Sequence, residues 1–406
     1  MVDKPDLGSG AVRRVGSSPT IRTTTPMLLQ SSVGVVFGIL DNTNSMKHSL
    51  LFIVVAGLAL FSSCSNGDSS CERVTWDESI FAEAEELVVD TVPLSRSFPY
   101  ARHHYFYNDS IVIVMNHQKE NLHYVEMYNT KTDSVVCRLL RNGRGPGEAI
   151  SLFPIPTLNE QYFYDGDHGK KELIIFNIDS LLENPDAPLR RYGKTEWGYA
   201  SKTMLYRDTL IGENTNVFTN KALGIHQEGP RFVVYDAAFE KVVNDKEYEY
   251  FTFNANNTAM VNINTEKGMI CFANSVEPYI EFHRGINHPV KIYEGPHRLD
   301  IEYALVGKEV MFKEKCPYSY LSSCHNRDFV YLYYVGHYDE ELTYTKGQYD
   351  YYILKFDWEG NLVKTYKTDY FINVLSCDHN GGSGKDVLYA SIETEEEPIL
   401  LRLSEK

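Results

Sequence analysis

The chain lacks most of the short signatures that announce a chemistry. Its seven cysteines include no Cys-x-x-Cys pair, and no His/Cys cluster has zinc spacing, which sets aside zinc modules and dithiol redox motifs. There is no G-x-S-x-G elbow, no phosphate loop and no Asp-box repeat of the sialidase type. Helical periodicity is nowhere sustained, so α/β alternatives fall away. The apolar run Ser49–Phe61 is shorter than the roughly 17–25 residues of a spanning helix. Basic residues are in deficit, 39 Lys and Arg against 55 Asp and Glu, for a net charge of −16. That balance argues against nucleic acid or an anionic membrane surface as the partner.

What is present points to strands. The chain has 29 Tyr and 20 Phe, residues that fit pleated, half-buried surfaces. A hydrophobic content of 43% is that of a folded protein, and 406 residues suffice for two average domains or one large all-β domain.

Residues 46–63 read as a lipoprotein signal peptide. Met46 and Lys47 form a short basic start, and Ser49–Phe61 is the apolar region. Leu60-Phe61-Ser62-Ser63-Cys64 then resembles a lipid-processing box with Cys64 as the lipidated residue, although Phe61 stands where Leu is usual. The rival reading is a plain signal anchor. Residues 1–45, rich in Ser, Thr and Gly, read as a gene-start artefact or a disordered stretch ahead of Met46. Residues 64–84 read as a tether. An oxidising compartment would permit disulfides. Cys316 and Cys324, however, would lie roughly 27 Å apart on one straight strand and could bond only if the chain turned between them.

Leu122–Glu148 organises the rest: a strand ending in Tyr128-Asn129, a polar turn, the strand Val135–Leu140 and a glycine-rich exit. The same third-strand ending recurs at Phe176-Asn177, Tyr235-Asp236, Phe282, Phe356-Asp357 and Leu403. The spacing is roughly 50 residues, as in propeller blades of four short strands. The longer gap between Phe282 and Phe356 reads as an insertion around Gly295–Lys315, with a hidden seventh blade as the alternative. The expectation is therefore an all-β, six-bladed β-propeller over residues 85–406. The last blade offers only three strands, so the spare strand Leu87–Leu94 is expected to join it and close the ring.

The run Arg141-Asn142-Gly143-Arg144-Gly145-Pro146-Gly147-Glu148 resembles the G-x-G-P-G-E element of TolB-like six-bladed propeller lipoproteins of Gram-negative bacteria. The resemblance implies an architecture and an envelope location, with no established activity and no transfer of a partner.

In such a ring, the links between blades and the loops joining second and third strands share one face, and that face usually binds. It would gather the motif loop, Gly166–Lys171, Gly193–Ser201 with Trp197 and Tyr199, Asn216–Pro230 and Tyr338–Tyr349. Arg141 and Arg144 could offer guanidinium forks to a carboxylate or sulfate, helped by exposed amides of the glycine turn. Alternatively, the glycines serve a tight crossing between blades, with Arg144 or Glu148 bridging a neighbour. His103 or His104 could face the channel as a base or ligand, or pack within a blade. Asp165 and Asp167 could pair for glycoside chemistry or calcium, or simply shape a turn. Trp197, Tyr199, Phe218, Tyr338 and Tyr344 could stack on sugar rings or peptide, or pack between blades.

The functional expectation is a lipid-anchored envelope module that binds a glycan, a peptide or an envelope protein, needs no cofactor and carries no assigned reaction. The alternative is a hydrolase or lyase acting on a glycan or peptide in the central funnel, and a third class is a structural partner of an envelope complex.

Overall fold

The computed structural model describes residues 71–406 except 97, 99–100, 117–121, 153–155, 194–199, 215–217, 221–222, 228, 236–251, 254–258, 297–298, 343–348, 380–386 and 395–397. The expectations for residues 1–63, for the lipidated Cys64 and for the polar stretch Ser65–Ser70 lie outside the described residues.

Six small sheets follow one another along the chain. Blade 1 is Ala101–Phe106, Ile111–Asn116, His123–Asn129 and Ser134–Arg141, paired antiparallel in chain order. Blade 2 runs Thr157–Asn159, Tyr162–Asp167, Glu172–Asn177 and Arg190–Gly193. Blade 3 shows three described strands, Ala200–Tyr206, Thr209–Asn214 and Phe232–Val234. Blade 4 is Met260–Asn264, Met269–Ala273, Tyr279–Arg284 and Pro289–Glu294. Blade 5 is Pro317–His325, Phe329–Tyr338, Tyr351–Asp357 and Leu362–Thr368. Blade 6 has Val374–Cys377, Val387–Ile392 and Ile399–Ser404. Its fourth strand is Val88–Thr91, with Val89 opposite Leu403, so the N-terminal strand closes the ring. Every described third-strand ending read from the sequence falls at or beside the end of a third strand; Asp236 lies outside the described residues.

The core lies between blades rather than within them. Ile111–Asn116 is buried at every position because it is covered on both faces. Ile111, Ile113 and Met115 pack toward Ile174 and Phe176 of blade 2. Val112 and Val114 pack toward Tyr389 and Leu400 of blade 6. Polar turns with bonded side chains join the strands. At Asp357–Asn361, the Asp357 carboxylate accepts the Asn361 N–H at 2.8 Å while Trp358 is fully buried below.

First strands line the centre, and small polar side chains stitch them together. The Phe106 N–H donates to Ser376 Oγ at 3.2 Å, and the Leu375 N–H to Ser322 Oγ at 2.8 Å. Asn159 of blade 2 accepts the Ile263 N–H of blade 4 at 2.8 Å, reaching past blade 3. The first strands of blades 2 and 5, opposite in the ring, touch. The channel is therefore closed near the lower ends of these strands.

Residues 72–84, expected as tether, instead begin a strap across three blades. Glu72–Thr75 adds in parallel to Lys291–Glu294 at the outer edge of blade 4. Glu85–Glu86 does the same against Tyr366–Lys367 of blade 5. Val88–Thr91 then completes blade 6. Trp76 stacks on Tyr293 at 4.3 Å and donates its indole N–H to Gly295 O at 2.6 Å. Phe81 stacks on Tyr352 at 3.8 Å. Residue 295 must be glycine, because a Cβ there would strike the Trp76 carbonyl.

The long gap before Phe356 holds a hairpin, Tyr303–Val306 with Glu309–Phe312, and no seventh blade. A second hairpin, Phe218–Asn220 with Ile225–Gln227, interrupts blade 3. Thr252–Phe253 pairs in parallel with Glu309–Val310, and Leu223 packs against the cluster of Tyr303 and Val310. All three insertions leave from interblade links or second-to-third turns. They share the face on which first strands begin, called here the upper face.

Candidate binding face

The motif loop is a knot in which carboxylates bind backbone. The Ala149 N–H donates to Arg141 O at 3.0 Å, and the Gly143 N–H to Ala149 O at 2.9 Å. Glu148 turns its carboxylate inward and accepts the Gly145 N–H at 2.6 Å. Lys170 donates to the Gly145 and Glu148 carbonyls at 2.9 and 2.7 Å. Arg191 reaches Glu148 O at 3.3 Å and pairs with Glu172 at 2.8 Å. The fully buried Asp167 accepts N–H groups from Ile150, Ser151, Gly169 and Lys170 at 2.9 to 3.2 Å.

This geometry bears on two of the paired alternatives. The Gly145 amide does not face an outside anion, because Glu148 fills that position from within. Asp165 accepts the Gly166 N–H at 2.7 Å, and Asp167 holds two loops together. Arg141 and Arg144 remain exposed on the outside of the knot.

His103 and His104 sit on the first strand of blade 1. His103 Nδ1 lies 3.1 Å from Glu393 Oε1, joining blades 1 and 6 near the upper face. His104 is buried against Phe98, and burial pushes its imidazole down to about 4. It is a packing histidine. His325 is likewise buried, depressed to about 3 by burial, with Nδ1 3.2 Å from Asn262 Oδ1. Trp197, Tyr199 and Tyr344, and the side chain of Phe218, lie outside the described residues. Tyr338 donates its hydroxyl to Asp300 O at 2.9 Å, tying two upper loops.

Sequence reading missed a chain of charges between blades 3 and 4. Arg231 pairs with Glu281 at 2.7 Å, and His283 Nε2 lies 2.6 Å from the same carboxylate. Burial alone would raise the Glu281 carboxyl, but Arg231 and His283 hold it well below the usual carboxylate range. Glu213 lies next along, accepting the Ala259 N–H at 3.3 Å. Beyond it is Lys202, on the first strand of blade 3. No sequence pattern marks these partners, which pair across about 50 residues.

Among the described residues, no three His, Cys, Asp or Glu side chains are placed to hold a metal, and six cysteines are free. No described helix is long and apolar enough to cross a membrane.

The model of the TolB-like 6-blade propeller-like family matches residues 94–380. Among solved structures, a DUF4221 family member from Bacteroides vulgatus is 10% identical, covers 79% of this chain and 97% of its own, and superposes with a TM-score of 0.48. A candidate exported protein of Bacteroides fragilis is 13% identical, with 83% and 100% covered and a TM-score of 0.46. A streptogramin B lyase is 10% identical, with 78% and 86% covered and a TM-score of 0.37. No match is found among curated proteins.

Proposed function

We propose that this chain, which belongs to the TolB-like six-bladed propeller family, acts in the cell envelope as a lipid-anchored binding module whose upper face takes a glycan, a peptide or an envelope protein. The observation that carries this reading is where the insertions gather. Two hairpins and the Thr252–Phe253 strand cluster on one face and pack on each other. Half of the exposed large apolar side chains among the described residues belong to one of those hairpins, namely Leu305, Val306 and Met311. Apolar groups kept in water at one place mark a contact surface more often than chance exposure does.

The hydrolase or lyase reading would need ionisable groups converging on a substrate. His104 and His325 are sealed in packed strands, which favours the binding role. Lipid anchoring rests on the Cys64 box, and a tether from Cys64 would lead straight into the strap.

Two measurements test this reading. Cys64→Ser should abolish palmitate incorporation and release the protein from the membrane fraction. A thermal-shift screen against oligosaccharides and peptides, with crosslinking in intact envelopes, should return a ligand or partner. A ligand present at 100 times its dissociation constant adds roughly 2.7 kcal/mol of stability. That partner should be weakened by Val306→Asp. A protein that stays bound to the membrane without Cys64, and an upper face that captures nothing in either assay, would sink the reading.

A further inference from the structure

We propose that the ammonium of Lys202, a residue near the upper end of the first strand of blade 3, is the point at which a carboxylate of the ligand is held; this rests on the reading of the upper face as a binding face. Lys202 belongs to Ala200–Tyr206, the channel-lining strand of blade 3, near its upper end. The strand is bulged there. Ser201 faces Glu213 and Met204 faces Ile211, so Lys202 and Thr203 together oppose the single residue Gly212. Lys202 sits at φ 50°, a left-handed conformation that favours glycine and is unusual for a long side chain. Bulges of this kind re-aim a side chain out of the strand's alternation, and such strain gathers at functional sites.

The surroundings of the ammonium complete the argument. Lys202 as a whole is half-buried, and its ammonium is crowded by protein. Among the described residues it makes no hydrogen bond and no ion pair. Burial pushes the Lys202 amine down, and the Glu213 carboxylate only partly opposes this. A cation in this position is stabilised by one more negative group. Glu213 is buried close behind and already shares its field with Arg231. The site therefore has room for one added negative charge rather than two, which favours a carboxylate over a phosphate dianion. A carboxyl-bearing sugar or a peptide C-terminus carries such a group, and galacturonate is the probe chosen.

The full-length protein is acylated at pH 8 with a limiting amine-reactive ester, and each lysine is followed by peptide mass spectrometry. Galacturonate is compared with galactose at equal ionic strength. Galacturonate should slow acylation of Lys202 several-fold, because the pairing covers the amine and keeps it protonated, while Lys171 reacts unchanged. It should also raise the melting temperature of the wild type and of Lys202→Arg, but not of Lys202→Gln. Equal acylation in the two sugars, or a Lys202→Gln protein that responds like the wild type, overturns the proposal. A screen ligand that is weakened by Val306→Asp but indifferent to Lys202→Gln would overturn this inference alone and leave the binding role standing.

Discussion

The Glu148 carboxylate accepts the Gly145 N–H at 2.6 Å and stands where a Cβ on Gly143 would have to be. The arginines of the motif face water and its acid faces in. The motif is thus a brace between blades 1 and 2 before it is anything else.

Glu148→Ala should therefore cost about 1–2 kcal/mol of stability by stranding an amide. Gly143→Ala should cost no more than Glu148→Ala, because the Cβ meets only the end of the Glu148 side chain, which can swing aside at the expense of its bond to Gly145. Arg144→Ala, at an exposed site, should stay within about 0.5 kcal/mol of wild type. Denaturant midpoints of the three variants check this ordering. A larger loss in Arg144→Ala than in Glu148→Ala would contradict it.

Trp76 holds the strap to blade 4. Trp76→Ala should cost about 2 kcal/mol, less than a fully buried tryptophan because the ring is half exposed. Limited proteolysis should then cut within residues 71–86 before the propeller unfolds. Gly295→Ala should give the same early cleavage, since it displaces the Trp76 carbonyl. If cleavage instead begins inside the blades, the strap is not the weakest part.

The Arg231–Glu281 pair is buried, so removing one partner leaves a stranded charge. Arg231→Met should destabilise by about 3–5 kcal/mol. Because Glu281 stays ionised far below its unfolded range, its contribution is complete above about pH 4.5 and drains away as the solution is acidified further. Glu281→Gln should flatten the loss of stability below that pH, as read from urea midpoints.

His104 and His325 act in a higher window. The unfolded chain takes up a proton at each near pH 6.5, while the folded imidazoles wait until about 4 and about 3. Stability should fall by up to about 1.4 kcal/mol per pH unit for each histidine as pH drops from 6.5 toward 4. His104→Phe should reduce that slope by up to about 1.4 kcal/mol per pH unit. An unchanged slope would mean that His104 is protonated in the folded state.

The six blades were legible because each one repeats a local pattern. Hydrophobic alternation, polar turns and an aromatic third-strand end all lie within a few residues of each other. The closing strand was legible by subtraction, since blade 6 was one strand short. The strap before it was not. A parallel addition of four residues, or of two, leaves no period in Glu72–Thr75 or Glu85–Glu86. Arg144 drew attention because charge is visible in a sequence. The inward turn of Glu148 and the left-handed Lys202 are not visible there, because both depend on what stands opposite in the folded sheet. The Arg231–Glu281 bond links residues whose only common feature is that two blades meet between them.

The strap has a consequence for the order in which the protein can be built. Residues 72–91 leave the ribosome before any blade, yet the strands they pair with are Pro289–Glu294, Leu362–Thr368 and Ile399–Ser404. Lys406, just past the last strand of blade 6, donates to Glu86 at 2.9 Å. Each piece of the strap must therefore wait for its own partner strand, and Val88–Thr91 waits longest. Blades 1 to 3 can assemble during synthesis, but the ring locks only once Ile399–Ser404 is there for Val88–Thr91 to join.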